Sequence, residues 1–170
     1  MLEAAGTLIE QDDIDMVTDA MRNMNGPKKY YYVEQFEKEF AEYHGRKYAL
    51  MTPNCTTAIN LLLAGLYVNQ NCHIIVPDMT WIGSVAGASW LDAPLIFCDV
   101  EEKNWCIDPQ KIEDEILFND KAGRTFIKAI ISVNLYGNMC LWSDLKFLSD
   151  KYEIYLVEDA AESLGSMYSG

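Results

Sequence analysis

The first part of the chain carries hydrophobic residues at the spacing of a helix face. This spacing predicts a helix from residue 13 or 14 to residue 24, with a break at 25–27 (Asn-Gly-Pro). A second helix is predicted from about residue 33, and Gly45 suits its carboxyl-terminal cap. The apolar faces of the two helices consist of Ile14, Val17, Met21 and Met24, and of Val33, Phe36, Phe40 and Tyr43.

From residue 48 onward, short apolar runs alternate with helical segments. Strands are predicted at 48–51, 74–76, 95–98, 129–133 and 154–157. Helices are predicted at 58–68, 81–90 and 142–151, and Asp108-Pro109 is typical of the start of another helix. Alternating strands and helices indicate an α/β fold, with a mostly parallel sheet flanked by helices. The length favours a single domain over residues 1–170.

Charge narrows the classes of partner. The 170 residues include 13 basic and 26 acidic side chains, for a formal net charge of -13. The resulting field repels phosphate backbones and anionic lipids, so we expect neither nucleic acid nor a membrane as a partner. Residues 1–5 have no basic leader region and no apolar run reaches the length of a membrane span, so we expect a cytoplasmic protein.

The five cysteines do not suggest a metal site or a nucleophile. Their number is odd, no CxxC pair is present, and His44 and His73 are the only histidines. A zinc site requires a tighter cluster of ligands. We therefore expect most of these thiols to be small buried side chains in a reducing compartment.

Four polar segments follow predicted strands or precede helices, at 54–57, 78–81, 134–137 and 159–163. In a parallel sheet the carboxyl ends of the strands lie at one edge, where ligands of such folds bind. We therefore expect these segments to be neighbours in space, although they are far apart in sequence.

Three positions in these segments each allow two interpretations. Thr56 and Thr57 can bind an anion at a helix start, or one of Asn54, Thr56 and Thr57 can simply cap that helix. Trp81 can stack on a flat heteroaromatic ring or can belong to the core. Asp159 can keep a pyridine nitrogen protonated or can cap the turn that follows it.

The chain resembles the DegT/DnrJ/EryC1/StrS family of pyridoxal-phosphate-dependent sugar aminotransferases over nearly its whole length. The matching segments are 36–41 (Phe-Glu-Lys-Glu-Phe-Ala), 54–58 (Asn-Cys-Thr-Thr-Ala), 76–81 (Val-Pro-Asp-Met-Thr-Trp), 134–137 (Asn-Leu-Tyr-Gly) and 158–162 (Glu-Asp-Ala-Ala-Glu). The resemblance implies fold type I of these enzymes, with this chain as the amino-terminal part of the large cofactor-binding domain and without the small carboxyl-terminal domain.

By this resemblance the cofactor is pyridoxal 5′-phosphate, and five residues match positions that hold it. Thr56 and Thr57 match the loop that binds the phosphate. Trp81 matches the aromatic residue that stacks on the ring, and Asp159 matches the partner of the ring nitrogen. Glu162 matches a position near the ring hydroxyl that is often His or Gln in other members.

The resemblance also implies the reaction and its partners. Family members use an amino-acid donor, usually glutamate, and a nucleotide-linked keto sugar, and they form homodimers. Their Schiff-base lysine lies in a Ser-rich segment beyond residue 170, and none of the lysines in this chain matches it. We therefore expect no catalytic residue here, weak cofactor binding and no transamination by the chain alone.

Two alternatives stay open at this point. The first is a keto-deoxysugar dehydratase of the same family, in which a histidine replaces the lysine and the cofactor binds non-covalently. The second is a non-catalytic remnant that keeps the fold without the chemistry. The residue that distinguishes the two enzymes lies outside the sequence.

Overall fold

The computed structural model describes residues 8–121 and 126–168 and contains two compact units. The first unit is Met1–Met51 and the second is Thr52–Gly170. The prediction that no leader is present concerns residues 1–5, which lie outside the described residues.

The first unit contains the two predicted helices, α1 (Gln11–Asn23) and α2 (Tyr31–Tyr43). The Tyr32 hydroxyl connects them by donating to the Asp19 carboxylate over 2.8 Å. Gly45 has a φ of +60° directly after α2, the left-handed conformation that commonly ends a helix. The apolar face predicted for α1 is present, but no residue of this helix is buried.

The second unit is an α/β fold, as predicted. A four-stranded sheet has the order β2-β1-β3-β4, and every pair of neighbouring strands is parallel. Its elements in chain order are α3 (Cys55–Gly65), β1 (His73–Pro77), α4 (Gly83–Trp90), β2 (Leu95–Cys98), α5 (Pro109–Lys121), β3 (Ile127–Val133), α6 (Trp142–Tyr152) and β4 (Tyr155–Asp159).

Alternation along the strands divides the core between the two faces of the sheet. Ile74 and Val76 of β1 pack into one buried cluster with α3 and α4, whereas Ile75 between them packs into the other cluster. Ile131 and Ile130 of β3 separate in the same way. Both faces are therefore buried, which explains why the central strands are continuous apolar runs.

Two predictions for residues 48–58 are wrong. Residues 48–51 form no strand, because an apolar run needs a neighbouring strand to pair with and the described residues provide none. Tyr48 in this segment is 77% exposed. The next helix begins at Cys55 rather than at residue 58, because Asn54 caps it. By contrast, Asp108 caps α5 as predicted, since its carboxylate accepts the Gln110 amide over 2.8 Å.

Helices α3 and α4 approach closely because α4 carries a glycine at the contact. A Cβ atom added at Gly87 would lie 2.9 Å from the backbone nitrogen of Asn60. The Asn60 side chain in turn donates to the carbonyl of Gly87 over 3.3 Å.

Within the described residues, none of the helices is long and apolar enough to cross a membrane.

The pair Gly87→Ala and Gly65→Ala tests this close approach. Gly87→Ala must separate two helix backbones, so we expect it to lower the free energy of unfolding by about 1–3 kcal/mol. Gly65 ends α3 with open space around it, so Gly65→Ala should be neutral or stabilising by about 0.5 kcal/mol. Urea denaturation followed by circular dichroism measures both changes, and equal effects of the two substitutions would contradict the packing argument.

Candidate functional site

A cavity of about 220 Å³ lies at the carboxyl edge of the sheet. The chain leaves β1 toward β2 on one side and later returns to place β3 on the other side of β1. The strand order therefore reverses between β1 and β3, which is where open α/β sheets bind ligands. The walls come from the start of α3, the connection from β1 to α4, and the ends of β3 and β4, so the predicted meeting of these polar segments is confirmed.

The amino terminus of α3 forms one wall. The Asn54 carboxamide oxygen accepts the Thr57 amide over 2.9 Å, so Asn54 is the cap of this helix. The amides of Cys55 and Thr56 precede the first intrahelical bond and stay available to an anion. Cys55 and Thr56 line the cavity, whereas Thr57 lies one position further along the helix and is not among the lining residues of the described chain.

Trp81 forms a second wall and does not belong to the core. Its side chain is 76% exposed and lines the cavity, so the core interpretation is wrong. A Cβ atom added at Gly83 would lie 2.6 Å from the Thr56 hydroxyl oxygen and 3.0 Å from Cδ1 of Trp81. Glycine at position 83 therefore leaves room for both side chains, and any larger residue would force one of them to shift.

Asp159 places a buried carboxylate at the end of β4. It is 4% exposed, and its Oδ1 accepts the Ala161 amide over 3.0 Å and the Cys55 thiol over 3.3 Å. Burial and the adjacent Asp159 raise the pKa of Cys55 to about 12, so at neutral pH this thiol keeps its proton and can donate it. Asp159 therefore caps the following turn and also lines the cavity, and the two interpretations are compatible.

The interpretation of the sequence missed two hydroxyl groups next to this carboxylate. Ser84 is 3% exposed, and its hydroxyl donates to Oδ2 of Asp159 over 2.7 Å. The Thr80 hydroxyl lies 2.9 Å from the Ser84 hydroxyl. The only signal in the sequence was the spacing of four residues between Thr80 and Ser84 directly after a strand, and this spacing also occurs in ordinary helix starts.

The loops that follow β3 and β4 are hydrogen-bonded to each other. The Glu162 carboxylate accepts the Tyr136 amide over 2.6 Å, and Glu162 lines the cavity. The fully buried Asn134 donates to the carboxylate of Glu158 over 2.7 Å and to the hydroxyl of Ser163 over 3.1 Å. These contacts hold the predicted segments 134–137 and 159–163 together at the edge of the sheet.

The other four cysteines are not among the residues that line this cavity. Cys72, Cys98, Cys106 and Cys140 are buried and free, which confirms the expectation of small buried side chains. Among the described residues, no group of three or more His, Cys, Asp or Glu side chains could hold a metal ion.

The walls of the cavity together define the kind of ligand that it suits. The free amides and the dipole at the start of α3 favour an anionic group. The exposed indole of Trp81 offers an apolar face to a flat ring. The buried carboxylate of Asp159 favours a ring nitrogen that carries a proton. A phosphorylated pyridine matches all three features.

Comparisons with known proteins agree with this chemistry. The DegT/DnrJ/EryC1/StrS aminotransferase family matches residues 7–170. GDP-perosamine synthase of Escherichia coli O157:H7 is 34% identical over 139 residues, which cover 82% of this chain and 36% of that protein. The chain thus spans little more than a third of the length of this relative.

Solved structures show the same fold. NtdA from Bacillus subtilis, solved with bound pyridoxamine phosphate, superimposes with a TM-score of 0.78 at 26% identity, over 92% of this chain and 35% of that chain. A GDP-4-keto-6-deoxymannose-3-dehydratase superimposes with a TM-score of 0.82 at 24% identity, over 99% of this chain and 43% of that chain. The second likeness shows the fold alone.

The sheet is that of the pyridoxal-phosphate-dependent enzymes of fold type I, and the walls of the cavity fit the cofactor of such enzymes. The chain therefore belongs to the DegT/DnrJ/EryC1/StrS aminotransferase family, whose cofactor is pyridoxal 5′-phosphate.

Proposed function

We propose that this chain forms the cofactor-binding part of an aminotransferase that acts on a nucleotide-linked keto sugar, with glutamate as the amino donor. The observation that carries the proposal is the buried carboxylate of Asp159, which lines the same cavity as the exposed indole of Trp81 and the start of α3. A buried carboxylate that reaches the cavity favours a ligand with a positively charged group, such as a protonated ring nitrogen.

Each wall of the cavity then has a role toward the cofactor. When bound, pyridoxal phosphate supplies a ring that accepts electrons from the substrate carbon. Asp159 binds the ring nitrogen and keeps that nitrogen protonated, because an adjacent carboxylate favours the positively charged form of the ring. Trp81 covers one face of the ring and excludes water from it. The Cys55 and Thr56 amides hold the phosphate, together with the hydroxyl of Thr56 and, as predicted from the sequence, that of Thr57.

Glu162 is a further residue with a proposed contact to the cofactor. It lines the cavity, and its carboxylate already accepts the Tyr136 amide. Its proposed position near the ring hydroxyl rests on the resemblance of residues 158–162 to the family. A carboxylate there can accept a hydrogen bond from that hydroxyl, because an ionised carboxylate has acceptor sites left after a single hydrogen bond.

The class of substrate is proposed from the relatives. The Escherichia coli relative is a GDP-perosamine synthase, and a further relative from Aneurinibacillus thermoaerophilus, 33% identical, is a dTDP-3-amino-3,6-dideoxy-α-D-galactopyranose transaminase. These names support a nucleotide sugar and an amino donor as partners. A cytoplasmic location, a homodimeric full-length protein and a role in polysaccharide biosynthesis stay predictions.

We propose that the chain alone binds its cofactor non-covalently and does not transaminate. No lysine of the described residues lines the cavity, so no side-chain amine is available there to bond covalently to the cofactor. A dehydratase of the same family is the second candidate, because its non-covalent cofactor needs no lysine at this site. Sequencing the coding DNA beyond codon 170 separates the candidates: a lysine in the Ser-rich segment supports the aminotransferase, and a histidine supports the dehydratase.

Replacing the buried carboxylate of Asp159 tests the observation on which the proposal rests. Asp159→Asn removes the charge opposite the ring nitrogen, so we expect the affinity for pyridoxamine 5′-phosphate to fall by about ten-fold or more. The control is Asp150→Asn, since Asp150 is an exposed residue of α6 that pairs with Lys146 at the surface. Isothermal titration calorimetry measures both affinities, and an unchanged affinity in Asp159→Asn would contradict the proposed site.

Gly83→Ala tests the arrangement of the ring and phosphate walls. The added methyl group must displace the Thr56 hydroxyl or the Trp81 indole, so the affinity for pyridoxamine 5′-phosphate should fall by roughly three- to ten-fold. Gly65→Ala, with open space at its Cβ, should bind as the unsubstituted chain does. Binding by Gly83→Ala at full strength would show that these two side chains do not contact the cofactor.

Borohydride trapping tests the absence of a covalent anchor. After incubation with pyridoxal 5′-phosphate and reduction with sodium borohydride, we expect no single lysine of the chain to carry a stoichiometric pyridoxyl group. Added glutamate should not convert the bound cofactor to its amine form. Intact mass spectrometry and peptide mapping detect the label. Stoichiometric labelling of one lysine, blocked by pyridoxamine 5′-phosphate, would overturn this part of the proposal.

A further inference from the structure

We propose that Ser84 is a positioning residue for the cofactor site: its hydroxyl holds the Asp159 carboxylate so that Oδ2 meets the ring nitrogen. This inference rests on the proposed function, because it concerns how Asp159 is directed toward the cofactor. It adds a residue of α4 to a site that the family resemblance builds from the loop before α3, Trp81 and the end of β4.

The direction of the hydrogen bonds follows from the number of protons. An ionised carboxylate only accepts, so the single hydroxyl proton of Ser84 must go to Oδ2 of Asp159 over the 2.7 Å contact. In the 2.9 Å hydrogen bond between the two hydroxyls of Thr80 and Ser84, Thr80 must then be the donor. The three side chains thus form a chain of donors, from Thr80 through Ser84 to Asp159, that ends on the carboxylate.

Counting acceptor sites identifies the oxygen that faces the cofactor. Each oxygen of an ionised carboxylate accepts about two hydrogen bonds. Oδ1 of Asp159 already receives the Ala161 amide and the Cys55 thiol, whereas Oδ2 receives only Ser84 among the described residues. Oδ2 therefore keeps one acceptor site, and a ring nitrogen that carries a proton can use it.

A carboxylate needs this support because its last torsion angle is soft. Rotation of an aspartate side chain about its terminal bond has broad minima, so burial alone does not decide which oxygen points into a cavity. Donors from three separate elements remove this freedom: Cys55 of α3, Ser84 of α4 and Ala161 after β4. The position of Ser84 is itself fixed, because α4 packs against α3 at Gly87.

The test combines a protein substitution with a change of one ligand atom. The two ligands are pyridoxamine 5′-phosphate and its 1-deaza analogue, in which a C–H group replaces the ring nitrogen. If Ser84 directs Oδ2 toward that nitrogen, Ser84→Ala should weaken binding of pyridoxamine 5′-phosphate by about ten-fold and change binding of the analogue by less than about two-fold.

A buried serine elsewhere in the sheet is the matched control. The Ser132 hydroxyl is fully buried and donates to the Val157 carbonyl over 3.0 Å, which is a purely structural contact between β3 and β4. Ser132→Ala should change the affinities for both ligands by the same factor. A second variant, Thr80→Val, removes the donor to Ser84 and keeps a similar shape, so it should reproduce the selective loss to a smaller extent if Ser84→Ala folds poorly.

The ¹⁵N chemical shift of the ring nitrogen gives a second readout that a merely structural role would not move. In the unsubstituted chain, bound ¹⁵N-labelled pyridoxamine 5′-phosphate should keep its pyridinium shift to higher pH than in Ser84→Ala. Equal losses for the two ligands, or an unchanged pH profile of the shift, would overturn the role of Ser84 alone. No measurable affinity in the unsubstituted chain would instead contradict the proposed function.

Discussion

A buried negative charge is the constraint on which this site depends. Removing a carboxylate from water is costly unless hydrogen-bond donors replace the water. Asp159 receives its donors from the start of α3, from α4 and from the turn after β4. These elements must therefore stand in one fixed arrangement before the carboxylate can be buried, and the same arrangement forms the walls of the cavity.

The sheet topology provides that arrangement. Because the strand order reverses between β1 and β3, the segments that leave these strands diverge and leave a crevice at the carboxyl edge. Two glycines of α4 then bring the helices close enough to complete the walls. Gly87 allows contact with the backbone of Asn60, and Gly83 leaves space for Thr56 and Trp81. Backbone packing thus decides the distances between the side chains that line the cavity.

The described walls of the cavity carry groups that suit the binding of a cofactor. They offer an anion site, an aromatic face and a carboxylate, but no described lysine lines the cavity. Binding and electrostatic control of a cofactor are separate from the chemistry of its covalent anchor. A chain that matches about 36% of its relative's length can therefore contain the proposed cofactor contacts while the proposed Schiff-base lysine lies elsewhere.

The sequence by itself determined the α/β class, the order of the strands and helices, and the edge at which the polar segments meet. These features follow from local periodicity and from a general rule of parallel sheets. The proposed roles of Asp159 and Trp81 became specific only through family resemblance, since each residue also allowed a purely structural interpretation. Tertiary structure decided the rest: Ser84 and Cys55 lie 75 and 104 residues before the carboxylate that they contact. It also decided that residues 48–51 form no strand, because pairing depends on a partner that no local pattern can supply.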